Sequence, residues 1–371
     1  MSTVPLRKLS LFIPSLNGGG AERVMVSLAN GLVRRGIDTD LVLLKSRGVY
    51  RSQVDERVRV VDLNQRRTLT SLWALSRYLR REQPDALLSA MNYVNVVAVM
   101  ARGLSGARTR LFLSEHAHLS RAMDDCGRLL AAGLPRAMKL SYRRADGVIA
   151  VSGGVADDLA VRLAYPRERI TVCHNPIETL ELIEKSREPL EHPWFAPGQP
   201  PVVIGVGRLS KEKDFPTLIA AFNRLRHDCA ARLVILGQGP EAGTLAELVA
   251  QSPYSQDILL PGFQTNPYNW MRGAAVFALS SRREGFGNVL VEALACGTPV
   301  VSTDCPSGPA EILGHGRWGR LVPVGDAAAM ARALKETLEA GQHADGTTRA
   351  ADFSVDTALD GYLDVLSRQP A

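Results

Sequence analysis

Thiol chemistry is nearly absent from this sequence. Its 371 residues contain five cysteines, at positions 126, 173, 229, 296 and 305, odd in number and never in a C-x-x-C pair. That pattern supports neither a disulfide framework nor a zinc site, and it suits a reducing compartment. Long apolar runs are missing too. The longest uncharged stretch of interest, residues 86–101, carries Ser89, Asn92 and Asn95 and falls short of the ~20 apolar residues that span a bilayer. The N-terminal MSTVPLRKLSLFIPS is interrupted too soon for a secretory signal, so a cytoplasmic chain without a transmembrane helix is expected. Aromatic residues make up only 6%, which leaves few stacking platforms for nucleic acid, and no reading module is recognisable. What remains is ordinary globular composition, 46% hydrophobic and 22% charged. The length is more than twice that of a typical domain of ~150 residues, so two domains are expected.

Acidic charge is scarce in the first half. Residues 1–180 hold 27 Lys and Arg against 16 Asp and Glu, a balance of +11, whereas residues 181–371 hold 17 against 22, or −5. The first half is therefore expected to face something anionic, and 24 of its 27 cations are arginines, suited to bidentate phosphate contacts. Two stretches, 69–82 and 119–144, mix apolar residues with arginines as a helix in a membrane interface does. An ordinary surface helix with one side in a core has the same pattern. Together with the charge balance, the two stretches favour peripheral contact with an anionic membrane.

Short apolar runs alternate with helical patterns along the whole chain. Residues 9–14 read as a strand, followed by glycines 18–20 and a helix marked by Val24, Leu28 and Leu32 that Gly36 ends. Strands are expected at 40–44, 58–63, 86–89, 111–114 and 147–151, with a helix at 69–82. After five prolines between 189 and 201, strands follow at 202–206, 233–236, 258–260, 276–279 and 299–302, with helices at 217–226, 243–251 and 288–296. Such alternation implies α/β architecture: two doubly wound parallel sheets, residues 1–178 and 201–371, joined by a linker at 179–200. Ligands of such sheets bind outside the carboxyl ends of the strands, so an interdomain site is expected. The last helical pattern, Val355, Leu359, Tyr362 and Leu366, either caps the second domain or crosses back to the first.

Three motifs occupy those carboxyl ends. Gly18-Gly19-Gly20 lies between a strand and a helix, where bare backbone amides approach a phosphate, and it lacks the G-x-G-x-x-G spacing of dinucleotide enzymes. Gly205-Val-Gly207-Arg208 closes a strand and is followed by Lys211 and Lys213, cations able to neutralise a diphosphate. Glu284-Gly-Phe-Gly-Asn-Val-Leu-Val-Glu292 follows another strand and opens a helix. It sets carboxylate acceptors for sugar hydroxyls beside amide donors for phosphate, the pairing that a nucleotide sugar requires.

On these residues the chain resembles the retaining GT-B glycosyltransferases of family 4, whose signature E-x7-E stands here as Glu284 to Glu292. GGGAER at 18–23, GVGRLSKEKD at 205–214, Gly237-Gln-Gly239-Pro240, Pro261-Gly262-Phe263, ACGTPVVSTD at 295–304 and Pro309-Ala-Glu311-Ile312 extend the likeness. The resemblance implies a GT-B fold, two Rossmann-like domains facing each other across a cleft, the first for the acceptor and the second for the nucleotide sugar. It further implies that Arg208 and Lys213 bind the donor diphosphate and that Glu292 holds the ribose hydroxyls. Glu284, with the backbone at Phe286, Gly287 and Asn288 and with Val289, would contact sugar and phosphate. Gly19 and Gly20 would approach the diphosphate, Gly262 and Phe263 the base, and His116 the donor sugar. Glu284, His116, Arg208 and Lys213 are the catalytic candidates. The expected reaction moves a hexose or N-acetylhexosamine, from a UDP-sugar in preference to GDP-mannose, to a lipid-linked or glycan acceptor at the inner face of the plasma membrane. It needs no metal or other cofactor.

Other assignments are weaker. Asp38-Thr-Asp40 resembles a metal-binding D-x-D, but it precedes a strand at the edge away from the ligands. Glu115, His116 and His118 lack a further ligand for a metal site. A nucleotide-sugar epimerase of similar fold would release nucleotide without an acceptor, and a basic nucleic-acid-binding protein would need the aromatic platforms that are scarce here.

Overall fold

A computed structural model describes residues 5–120, 128–340 and 342–368. The chain forms two compact units, Met1–Ile177 with Val355–Ala371, and Glu178–Ser354. Cys126 lies outside the described residues; the other four cysteines are free.

The first unit is built on a parallel sheet of β1 (Lys8–Ile13), β2 (Asp38–Leu43), β3 (Arg59–Asp62), β4 (Ala86–Ala90), β5 (Arg110–Glu115), β6 (Gly147–Ala150) and β7 (Ile170–Val172), in the order β3-β2-β1-β4-β5-β6-β7. Its central strands are buried along almost their whole length because helices cover both faces, so they read as continuous apolar runs rather than alternating ones. The order reverses between β1 and β4, which leaves a crevice at their carboxyl ends. The GGG loop lies there, leading from β1 into the helix Gly20–Arg34.

The second unit repeats the plan with β8 (Val202–Val206), β9 (Arg232–Leu236), β10 (Ile258–Gly262), β11 (Val276–Leu279), β12 (Val300–Thr303) and β13 (Arg320–Val322), in the order β10-β9-β8-β11-β12-β13. Every pairing is parallel. The switch here falls between β8 and β11.

One organisational expectation changes. Residues 179–200 are not bare linker. They form the helix Thr179–Ser186 and a 3-10 turn Pro193–Phe195, and both belong to the second unit. Aromatic burial is the reason, because Phe195 meets Trp270 edge-on at 5.5 Å between centroids and His192 lies 5.3 Å from the same indole.

Of the two placements open to the C-terminal helix Val355–Ser367, the crossing back to the first unit is the one adopted, so the second unit ends at Ser354. Val355, Leu359, Tyr362, Val365 and Leu366 enter the core formed by β1, β2, β4 and the helix Gly20–Arg34. Close approach is possible because Gly31 has no side chain. A Cβ there would lie 2.4 Å from Leu359 Cδ1. Arg35 then binds Asp356 at 3.2 Å and also Asp360, fixing the outer rim of the contact.

Asp38 and Asp40 lie within the first three residues of β2 rather than ahead of the strand. Asp40 is fully buried, accepting from Arg59 Nε at 2.7 Å and from the Tyr78 hydroxyl, with Lys8 Nζ 3.5 Å away. A carboxylate so engaged is a structural counter-ion at the amino end of the sheet. Among the described residues no cluster of three metal-ligating side chains occurs, and no helix is long and apolar enough to cross a membrane.

Candidate active site

The densest group of expected site residues sits at the carboxyl ends of β8 and β11. Beyond β8, the chain turns through Gly207 and Arg208 into a 3-10 turn Lys211–Lys213. Beyond β11, residues 280–287 form a loop before the helix Asn288–Ala295. Because β8 and β11 are sheet neighbours, these loops meet although about 70 residues separate them in sequence. Lys213 Nζ donates to Glu284 Oε1 at 2.5 Å, and Ser281 Oγ donates to the same oxygen at 2.7 Å. Only 20% of the lysine and 12% of the glutamate side chain is exposed, so water screens the pair weakly.

A second set of bonds holds the same two loops together. Arg282 Nε donates to Asp214 Oδ2 at 3.0 Å, the Arg282 amide to Glu212 O at 2.8 Å, and Ser280 Oγ to Lys213 O at 2.8 Å. Asp214 is buried and also accepts from Thr217 Oγ1 at 2.9 Å. The Arg282 guanidinium is 63% exposed, so water screens its bond to Asp214, and the backbone-directed bonds do most of the bracing. Lys213 and Glu284 are therefore presented on a preorganised edge. Arg208, by contrast, is exposed and makes no ion pair among the described residues.

The loop carrying Glu284 rests on a packed floor. Phe286 is buried and meets Phe353 edge-on at 5.4 Å, while the Arg349 guanidinium lies 4.6 Å from the Phe353 ring centroid. The Phe286 side chain thus faces the interior. Gly308 permits this path: at φ 89° a Cβ would fall 1.6 Å from Phe286 O. Gly287 caps the helix, Asn288 and Val289 form its first turn, and Glu292 is its fifth residue, buried to 6% exposure. Gly262 ends β10, where its carbonyl accepts from the Gly237 amide at 2.9 Å, and Phe263 beside it is exposed.

The remaining candidates stand on the first unit. Gly19 is the extended N-cap of the helix Gly20–Arg34, and the Glu22 carboxylate folds over it, so that a Cβ on Gly19 would lie 2.2 Å from Oε2. Burial raises the Glu22 pKa. A glutamate three residues past a cap is the sequence signal that would have found it. His116 follows β5, its Nε2 3.0 Å from Ser114 Oγ. Its Nδ1 is buried without a hydrogen-bond partner among the described residues, and burial pushes the imidazole down to about 4, so the ring is neutral at pH 7. Next to it, Glu115 accepts from Asn95 Nδ2 at 2.9 Å and from the Tyr142 hydroxyl, and burial pushes its carboxyl up to about 7. His118 lies 3.6 Å from Asp158. The expected residues thus form two sets, Gly19, Gly20 and His116 on one unit and the rest on the other. Ser280, Ser281, Asp214 and Arg282, which support the second set, were not singled out by sequence.

The family model described as "Glycosyl transferases group 1" matches residues 186–352, and that described as "Glycosyltransferase Family 4" matches residues 18–180. A curated relative from Campylobacter jejuni, N-acetylgalactosamine-N,N'-diacetylbacillosaminyl-diphospho-undecaprenol 4-alpha-N-acetylgalactosaminyltransferase, is 31% identical over 90% of this chain and 91% of its own. The lipopolysaccharide core biosynthesis glycosyltransferase LpsE of Rhizobium meliloti is 29% identical over 95% of this chain and 97% of its own. Among solved structures, Anabaena HepE in complex with UDP superimposes with a TM-score of 0.81 at 22% identity, covering 98% of this chain and all of that one. The likeness to HepE concerns the fold. Taken with the paired sheets and the E-x7-E edge, these matches establish that the chain belongs to the family 4 glycosyltransferases, glycosyl transferases group 1, and carries the GT-B fold.

Proposed function

We propose that the protein transfers a hexose or N-acetylhexosamine from a UDP-sugar, with retention of anomeric configuration, to a lipid-linked glycan in bacterial cell-surface assembly. The observation that carries the reading is the Lys213–Glu284 pair, buried and braced at the carboxyl edge of a Rossmann-like sheet beside the exposed Arg208. An ammonium and a guanidinium at that edge neutralise the charge that develops on a departing diphosphate, the part a metal ion plays elsewhere. Glu284 orients the sugar hydroxyls, Glu292 the ribose, and the amides of Gly287, Asn288 and Val289 at the helix start donate to phosphate oxygens. The acceptor hydroxyl oxygen forms the new bond to the anomeric carbon on the face the leaving oxygen vacates, and its proton passes to the departing phosphate. His116, neutral at pH 7, is assigned to hydrogen bonding with the sugar.

The relatives' names support the acceptor class: one acts on a diphospho-undecaprenol glycan and another serves lipopolysaccharide core biosynthesis. A lipid-linked acceptor places the reaction at a membrane face. The test is a panel of UDP- and GDP-sugars against the purified protein, read first by thermal shift and then by release of nucleoside diphosphate with and without a polyprenyl-diphosphate-linked glycan. UDP-N-acetylhexosamines are expected to raise Tm and to release UDP in an acceptor-dependent way, with an α-linkage from an α-donor by NMR. Stabilisation by GDP-mannose alone would overturn the donor. Nucleotide release independent of acceptor would point to an epimerase-like reaction instead.

A further inference from the structure

The helices Ser71–Glu82, Asn92–Ser105 and Arg128–Tyr142 pack side by side as one layer of the first unit. By sequence they carry Arg77, Arg80, Arg81, Arg102, Arg128, Arg136 and Lys139 against one acid, Glu82. That acid is already committed, with Lys8 Nζ and Arg59 Nη2 each 2.7 Å away. Exposed Arg66, Arg67, Arg143 and Arg144 stand at the ends of the layer.

Large apolar side chains project from the same helices. Leu69 is 76% exposed, Trp73 67% and Leu140 65%, with Met100 and Leu104 about half exposed. Val99, Met100, Arg102, Gly103, Leu104 and Arg144 line a depression of about 330 Å³, so apolar lining and guanidinium groups lie together. Arg80 donates to Leu104 O at 3.1 Å and Arg102 to Arg144 O at 2.7 Å, which ties the three elements into one rigid surface.

We infer that this layer is a membrane-docking face for an anionic phospholipid surface, with Leu69, Trp73, Leu104 and Leu140 entering the interface and the surrounding arginines contacting lipid phosphates. Charge selects the occupant. Of the seven cations Arg102 meets a further acid, Asp146 at 3.4 Å. The layer still keeps a positive excess that repels a second copy of itself, and its scattered aliphatics favour a fluid apolar phase over a shaped protein partner. The inference rests on the lipid-linked acceptor proposed above, because such an acceptor confines the enzyme to the plane of the bilayer.

The experiment is sedimentation of the protein with vesicles of phosphatidylcholine alone or of phosphatidylcholine mixed with phosphatidylglycerol, which carry the negative surface potential of an anionic leaflet. At least tenfold stronger partition to anionic vesicles is expected, weakening as salt is raised. The variants Arg77→Glu/Arg143→Glu and Trp73→Ser/Leu140→Ser change exposed side chains outside the nucleotide site. Each is expected to reduce partition at least fivefold while leaving Tm and UDP-sugar thermal shifts unchanged. Trp73 is the one tryptophan of the first unit, so a blue-shifted emission on vesicle binding that disappears in Trp73→Phe locates the contact. Equal partition to neutral vesicles, wild-type partition by both variants, or a face that mediates dimerisation without binding vesicles would overturn the inference. A protein that still binds UDP-sugars but ignores vesicles sinks the docking face alone, whereas one that binds vesicles but no nucleotide sugar sinks the enzymatic reading.

Discussion

Replacing Glu284 by glutamine is expected to separate nucleotide binding from sugar transfer. Lys213 Nζ is held 2.5 Å from Glu284 Oε1, with both side chains mostly buried. A charge-assisted bond in such a setting is worth about 1.5–3 kcal/mol, and an incoming diphosphate has to compete for the ammonium. Glutamine preserves an acceptor for Ser281 Oγ, and therefore the loop, but removes the charge that engages Lys213 and repels phosphate. If half of the pair's energy is recovered on binding, UDP affinity rises by about 3- to 10-fold, since each 1.4 kcal/mol is a factor of ten. Transfer moves the other way. Loss of a charged, positioned acceptor for the sugar is expected to lower kcat about 100-fold. Titration calorimetry with UDP and initial rates at saturating donor measure the two effects. Lys213→Met is the comparator, expected to weaken UDP and transfer together. Weaker UDP binding by Glu284→Gln at unchanged Tm would refute the competition on which this reasoning stands.

Gly308→Ala is expected to destabilise the protein by at least about 2 kcal/mol in urea unfolding, because the residue combines a left-handed φ with a Cβ position inside Phe286 O. Glu115 gives a pH signature. With its folded carboxyl near 7 against an ordinary 4.5, the folded chain keeps a proton that the unfolded chain has lost between those values. Stability therefore falls as pH rises through that window, by on the order of 3 kcal/mol from this group, and levels off above it. The difference between wild type and Glu115→Gln in melts from pH 4 to 8 should carry that slope; a difference of the opposite sign would reject it. Asp40→Asn is expected to lower Tm by several degrees without changing the response of transfer to EDTA, which should be nil in both proteins. A manganese requirement lost in Asp40→Asn would restore the D-x-D reading.

The strands were legible because buried parallel strands leave nothing to alternation: Val202–Val206 and Val276–Leu279 stand at the expected residues. The strands Ile170–Val172 and Arg320–Val322 were not anticipated, since three residues carry too little pattern. The helix Asn92–Ser105 was hidden for a different reason. Its first residues continue the uncharged run 86–101 directly from the strand Ala86–Ala90, with no turn signal to separate strand from helix. Prolines at 189–201 suggested a hinge where aromatic burial makes packed structure. At the candidate site, the spacing of Glu284 and Glu292 was readable because one loop and one helix turn contain both. Their partners were not. Lys213 meets Glu284, and Asp214 meets Arg282, only because the strand order sets β8 beside β11, a long-range fact that local sequence does not encode.

The return of the C-terminal helix to the first unit constrains how the chain is made on the ribosome. Residues 178–354 are continuous and can close their core as soon as they emerge, whereas the earlier 177 residues wait for a segment translated after them. Until then the strip of the helix Gly20–Arg34 around Gly31 stays greasy and uncovered, a natural landing place for a chaperone. A stop codon shortly before position 355 would therefore damage the amino-terminal half more than the half it directly follows.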